Sequence, residues 1–228
     1  MRLVCISDTH NQHEKLNIPH GDVLIHAGDF TGTGTHRQVI SFVRWFANQP
    51  HKYKVLVAGN HEVTLDQSFY QKNWARFHNK YPLRAHEIKN YVLREEGIIY
   101  LENSEVVIEG VKFYGSPYQP EFGGWAFGLE RGDSIRKAWG EIPQDTDVLI
   151  THGPPHGYGD KLYFGERVGC KDLLKELDRV KPKVHIYGHI HEGYGTYEHG
   201  VSKLINPASC NEDYLLVNEP IVYDLGEE

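Results

Sequence analysis

Five short apolar runs punctuate the chain, at residues 3–6, 23–27, 53–58, 148–151 and 184–187, each four to six residues long and rich in Val, Ile and Leu. Their near-continuous hydrophobicity predicts strands covered on both faces. Between them lie segments of helical period, at 36–48, 66–80, 132–140 and 169–180. In the last, Leu173, Leu174, Leu177 and Val180 recur at three-and-four spacing before Lys181-Pro182 ends the helix. Strand alternating with helix predicts parallel pairing through helical crossovers.

Two regions depart from that rhythm. Residues 98–101, 104–109 and 111–115 read as successive short strands with a turn at Glu109-Gly110, and residues 194–198, 203–205 and 221–225 form a second such series. Both predict antiparallel additions, and hence a mixed sheet or two stacked sheets with helices outside. Residues 116–132 fit neither period. Their Gly, Pro and aromatic content predicts a long ordered loop, and loops beyond about 12 to 15 residues are usually functional.

A chain of 228 residues suits one domain spanning 1–228. With 39% apolar, 12% aromatic and 24% charged residues, it has the composition of an ordinary soluble protein. No apolar stretch approaches the roughly 20 residues that span a bilayer, and the N-terminal run turns polar at Ser7, too early for a signal peptide. A cytoplasmic protein with no membrane partner is expected. Cys5, Cys170 and Cys210 lack the spacing of a zinc site or disulfide framework and are expected as buried thiols. A formal charge of −7 argues against long nucleic acid as a partner, because counterion release needs a basic face. A small phosphate-containing substrate is still compatible, because bound dications supply positive charge locally. Nothing in the pattern specifies an oligomer.

Each buried run hands over to a polar cluster: Ser7-Asp8-Thr9-His10, Gly28-Asp29, Gly59-Asn60-His61-Glu62, Thr151-His152 and Gly188-His189-Ile190-His191. Ligand sites in α/β sheets form outside the carboxyl ends of the strands, so five such clusters can converge. Alone, an Asp-x-His or a Gly-Asp is usually a loop or a cap, and Gly59-Asn60 reads equally as a turn. Together they offer carboxylate, amide oxygen and imidazole, a mixed set that suits Mn, Fe, Zn or Ni better than Ca or an all-oxygen Mg site. Asp8, His10, Asp29, Asn60, His152, His189 and His191 are too many for one ion with an open position and suffice for two ions if one carboxylate bridges. Such centres hold their ions about 3.5 to 4 Å apart and promote attack of a bridging hydroxide on a phosphoester. The remaining histidines, such as His36, His51, His78 and His86, are expected at the surface.

These motifs, in this order, resemble the calcineurin-like metallophosphoesterase superfamily. The resemblance implies a four-layer αββα sandwich of two mixed β-sheets flanked by helices, with Asp8, His10, Asp29 and His191 around one ion and Asp29, Asn60, His152 and His189 around the other. It makes Asp29 the bridge, and His61 the group that protonates or stabilises the leaving oxygen. Residues 150–155, 122–127 and 191–195, with Asn206-Pro207-Ala208-Ser209, are similar to a narrower subfamily of metallophosphoesterase-domain-containing proteins. That similarity implies manganese-dependent phosphodiesterase activity, including on 2′,3′- or 3′,5′-cyclic nucleotides. Some members of the subfamily carry Gly where this chain has His189 and are weak enzymes.

One departure bears on substrate. Phosphoprotein phosphatases of the superfamily carry Gly-Asp-x-x-Asp, whose second Asp orients the catalytic His, whereas this chain reads Gly28-Asp29-Phe30-Thr31-Gly32. A small phosphodiester is therefore the expected substrate, with a nuclease, a dinucleoside polyphosphate hydrolase or a metal-binding scaffold of vestigial activity as the alternatives. If residues 118–131 cross the mouth of the site, Trp125 and Phe122 offer faces for a base and Arg131 a contact for a phosphate; the alternative is a self-packed surface loop with a buried Trp.

Overall fold

The computed structural model describes residues 1–226, and the last two residues of the expected 1–228 domain lie outside them. Strands β1 (Arg2–Ile6), β2 (Val23–Ala27), β3 (Tyr53–Val57) and β4 (Ile99–Leu101) alternate with helices α1 (His36–Ala47), α2 (Gln67–Phe77) and α3 (Ala85–Arg94). Then come β5 (Ser104–Ile108), β6 (Val111–Ser116), β7 (Gln119–Pro120), β8 (Gly128–Leu129), α4 (Asp133–Trp139), β9 (Val148–Thr151), α5 (Lys171–Val180) and β10 (Val184–Ile186). Three strands close the chain, β11 (Gly195–His199), β12 (Ser202–Asn206) and β13 (Ile221–Asp224).

One sheet has the order β13-β1-β2-β3-β4 and the other β11-β12-β10-β9-β6-β5. Both are mixed, with antiparallel partners at their edges: β13 on β1, β5 on β6, and β11 on β12. The two-residue side-chain period divides the core. From β1, Leu3 and Cys5 face the second sheet, where they join Phe113, Val148, Ile150, Val184 and Ile186. Val4 and Ile6 face the opposite way and pack with Phe42, Val43, Phe46, Ile88 and Val92 of α1 and α3. The outer face of the second sheet packs Tyr114, Leu149 and Leu204 against Trp139 of α4 and Leu173 and Leu177 of α5. The layers are helix, sheet, sheet, helix, as expected.

Three local expectations change. Helix α3 was not expected, because Arg84 at its start makes no side-chain cap and leaves no start signal, although Ile88 and Val92 bury one face at four-residue spacing. Its crossover makes β4 run parallel to β3, where an antiparallel series was anticipated. Likewise β12 lies parallel to β10. The 116–132 segment is an ordered loop, pinched by the short parallel pair β7 and β8.

His36 and His86 are exposed, but His51 is buried and His78 half-buried. The His51 imidazole donates to the Pro19 carbonyl (2.9 Å), and His78 pairs with the Tyr70 hydroxyl (2.6 Å). A hydrogen bond offsets much of the desolvation cost of such rings, which sequence position alone does not disclose. Among the described residues no helix is long and apolar enough to cross a membrane.

Phe113 is fully buried between the sheets. Phe113→Ala is expected to lower the unfolding free energy in urea by about 3 to 5 kcal/mol. Val107→Thr, on the same hairpin but 60% exposed, is expected to stay within about 0.5 kcal/mol. Similar losses from the two would contradict the sandwich packing.

Candidate metal centre

All five polar clusters lie at the carboxyl ends of parallel strands, three from the first sheet and two from the second. Turning the chain sharply there forces unusual backbone. Asp8, His10, Asp29 and His189 take left-handed conformations, with φ of 51°, 40°, 58° and 71°. Asp, Asn and His tolerate this region better than other side chains, and such strain concentrates at functional sites. Gly188 must lack a side chain for a different reason: a Cβ there would collide with the Asp8 carboxylate and the Ser7 hydroxyl. The same holds for Gly59 against Asp29 and His152.

The turns bring every expected ligand into one cluster. Potential donor atoms of Asp8, His10 and His191 lie within 4.8 Å of one another, as do those of Asp29, His152 and His189. Asp29 faces both groups: its Oδ1 is 3.3 Å from His152 Nε2 and its Oδ2 is 4.0 Å from His10 Nε2. Asn60 Oδ1 lies 3.0 Å from His152 Nε2, which adds the amide oxygen to the second group.

Two observations show that this set fits divalent ions. The Nδ1–H groups of His152 and His191 donate to the carbonyls of Ala27 (3.0 Å) and Asn211 (2.8 Å), which turns each Nε2 toward the carboxylates. Metal-ligating histidines are oriented in this way. In addition, the Nε2 atoms of His10 and His191 face each other at 3.2 Å. Two imidazoles bound at about 2.1 Å and at right angles around one ion would stand about 3 Å apart.

The electrostatics agree. Burial pushes the Asp8 carboxyl up, but its hydrogen bond to His191 and the charge on that ring hold it down at about 2. Burial likewise disfavours the charged forms of His152 and His191, but the facing carboxylates outweigh it. Asp29 dominates at His152 and Asp8 at His191, and both rings are raised to about 9. Burial drives His189 down to about 3 and His10 to about 4, so these two are neutral and ready to coordinate.

His61 stands between the two groups, and its donor atom also lies within 4.8 Å of those of His10 and Asp29. Its backbone N–H donates to Asp29 Oδ1 (2.9 Å), and its Nε2 is 3.9 Å from Asp29 Oδ2. The absent second Asp of the phosphatase motif is replaced by a backbone group, because His61 Nδ1 donates to the Gly32 carbonyl at 2.8 Å. Trp125 stacks on the His61 ring with centroids 4.2 Å apart, and Phe122, 69% exposed, lines the cleft above the centre. Arg131 also lines that cleft, with its guanidinium donating to the carbonyls of Val168 and Gly169. The cleft has a volume of about 460 Å³, and Glu121, Glu166, Glu192, Glu212 and Tyr214 are also among the residues that line it.

Sequence reasoning gave no role to Glu62, Asn211 or Tyr214. Glu62 is fully buried and accepts hydrogen bonds from the backbone of Asp29 (2.9 Å), Thr31 (2.8 Å) and Gly59 (2.7 Å) and from the Thr31 hydroxyl (2.8 Å). Its place directly after Asn60-His61 was the available signal. Asn211 acts through a backbone carbonyl, which no side-chain motif can reveal. The Tyr214 ring lies edge-on to His10 at 4.7 Å, brought there by the C-terminal segment.

A carboxylate and imidazole centre at converging strand ends, with an open cleft above it, defines a metallohydrolase. The family model for calcineurin-like phosphoesterases matches residues 1–193, and the chain belongs to that family. It is 44% identical to the human and mouse Metallophosphoesterase domain-containing protein 1, over 98% of its own length and 71% of theirs. It is also 42% identical to the UPF0046 protein K07C11.7 of Caenorhabditis elegans, over 98% of this chain and 74% of that one. A crystal structure only 14% identical superposes over 99% of both chains with a TM-score of 0.64, a likeness of fold.

Because His152 and His191 hold protons up to about pH 9, ions that take their Nε2 atoms must displace those protons at neutral pH. Calorimetry of metal loading at pH 7, in buffers of different ionisation enthalpy, is expected to show about two protons released per chain and an affinity that weakens as pH falls. No proton release would contradict the ligand set. Glu62→Gln, which turns an amide NH₂ toward backbone donors, is expected to weaken metal binding about 10- to 100-fold although Glu62 belongs to none of the donor groups. Unchanged affinity would contradict its role.

Proposed function

We propose that this protein is a phosphodiesterase that uses two divalent ions, with manganese as the native metal, and hydrolyses small diesters such as 2′,3′- or 3′,5′-cyclic nucleotides. The observation that carries this reading is the Asp29 carboxylate, whose two oxygens face two separate donor groups beside His61. Asp8, His10, Asp29 and His191 would hold one ion, and Asp29, Asn60, His152 and His189 the other. Bound there, the ions supply Lewis acidity toward the phosphoryl oxygens and acidify the attacking water.

The chain's own groups do the rest. The Gly32 carbonyl fixes the proton on His61 Nδ1, which leaves Nε2 to carry a proton toward the leaving oxygen. Four glutamates lining the cleft add negative potential, which disfavours dianionic monoesters and polyphosphates more than a singly charged diester. A cleft of about 460 Å³ is of the size that takes a small organic ligand. Phe122 stands at the mouth as an exposed face for such a group. Three unpaired buried cysteines support a reducing, cytoplasmic setting.

Metal-loaded wild-type protein is expected to hydrolyse bis-p-nitrophenyl phosphate, and Asp29→Ala to abolish that activity. Equal rates would leave the scaffold reading in its place. His61→Ala is expected to keep its metal and lose about 10²- to 10⁴-fold in kcat on 2′,3′-cyclic AMP. Loss of metal together with activity would make His61 a ligand instead.

A further inference from the structure

We propose that Trp125 is a positioning residue for His61, and that it acts through that imidazole rather than through substrate. The inference rests on the reading of His61 as the leaving-group acid. The indole and imidazole planes are 24° apart with centroids at 4.2 Å, a stacked arrangement. The His61 side chain has one hydrogen bond, from Nδ1 to the Gly32 carbonyl. One bond at one edge fixes a single atom and leaves the ring free to swing Nε2 about it. A flat aromatic surface against the ring face restricts that swing, and His10 closes another side edge-on at 4.7 Å.

The indole is itself held in place. Phe77 of α2 packs against it with centroids 5.0 Å apart. Arg76, one residue earlier, donates to the carbonyls of Gly124 (2.9 Å) and Gly123 (2.7 Å), immediately before Trp125. Both glycines have positive φ, of 59° and 66°, and a side chain at Gly124 would strike the Arg76 guanidinium. On the far side of Trp125, the Phe127 N–H donates to Asp66 Oδ2 (3.0 Å), and the Ala126 carbonyl accepts from Gln119 (2.8 Å). Helix α2 and its capping residue Asp66, with Gln119 of β7, thus hold the loop on both sides of one tryptophan whose indole stacks on the imidazole. An aromatic placed only to meet substrate would need no such anchoring on the side away from the cleft.

The test is a double-mutant cycle on 2′,3′-cyclic AMP with metal-loaded protein. Trp125→Ala is expected to lower kcat roughly 10-fold with KM changed less than about twofold, since misplacement of a reacting group by about 1 Å can cost up to about 100-fold. Trp125→Phe, which keeps a ring face, is expected to restore most of the rate. In the His61→Ala background the same Trp125→Ala change is expected to cost less than about twofold. A raised KM with unchanged kcat, or an equal loss in both backgrounds, would show that Trp125 grips substrate and overturn the proposal.

A second readout needs no turnover. The His61 ring protons are expected to be shifted upfield by the indole ring current in the wild type and to lose that shift in Trp125→Ala. Unmoved resonances would overturn the proposal. A moved resonance in a protein that hydrolyses no diester would instead overturn the functional reading alone.

Discussion

The carboxylate of Glu62 is the contact on which the centre depends. It joins neither group of donor side chains, yet its two oxygens accept four hydrogen bonds, one of them from the Asp29 backbone, that tie the turn after β2 to the turn after β3. Asp29, Asn60, His61 and the Gly32 carbonyl all ride on those two turns. Burial and the nearby Asp29 charge push the Glu62 carboxyl up, whereas the donors from Gly59 and Thr31 pull it back down. Every partner is a donor, which favours the ionised form, because a protonated oxygen would point its hydrogen at another hydrogen. A buried charge is tolerated only with such full pairing.

The sandwich explains why so much polar chemistry can gather at one edge. Strands β1, β2, β3, β9 and β10 are buried on both faces and end on the same side, so the residues that follow them meet where the two sheets open. Apolar packing holds the strand ends, and backbone carbonyls of Ala27 and Asn211 then aim the imidazoles. Two further buried histidines stiffen the floor. His26 of β2 pairs with the Thr9 hydroxyl (3.0 Å), and His185 of β10 with the Thr151 hydroxyl (2.8 Å). Burial drives both rings down to about 3, so they are neutral hydrogen-bonding groups and not charges.

The strands were legible because burial on both faces writes continuous apolar runs, and the clustered donor side chains because each follows such a run. Helix α3 was not legible for want of a cap at Arg84, and with it went the direction of β4. Within the site, Asp8, Asp29 and the five site histidines could be named in advance, since their chemistry resides in side chains at strand ends. What holds them resides elsewhere. The Gly32 and Asn211 carbonyls are invisible to a motif, and the stacking of Trp125 on His61 depends on how residues 116–132 fold back against α2. Sequence marked that tryptophan as a surface for substrate, but the folded chain lays it against the His61 ring.

In the proposed function Asp29 joins two ion sites in one centre. Elemental analysis after equilibrium dialysis against manganese decides this. Two ions per chain are expected, both bound cooperatively enough that Asp29→Ala loses more than one. A single ion per wild-type chain, or a second ion that survives without Asp29, would contradict it.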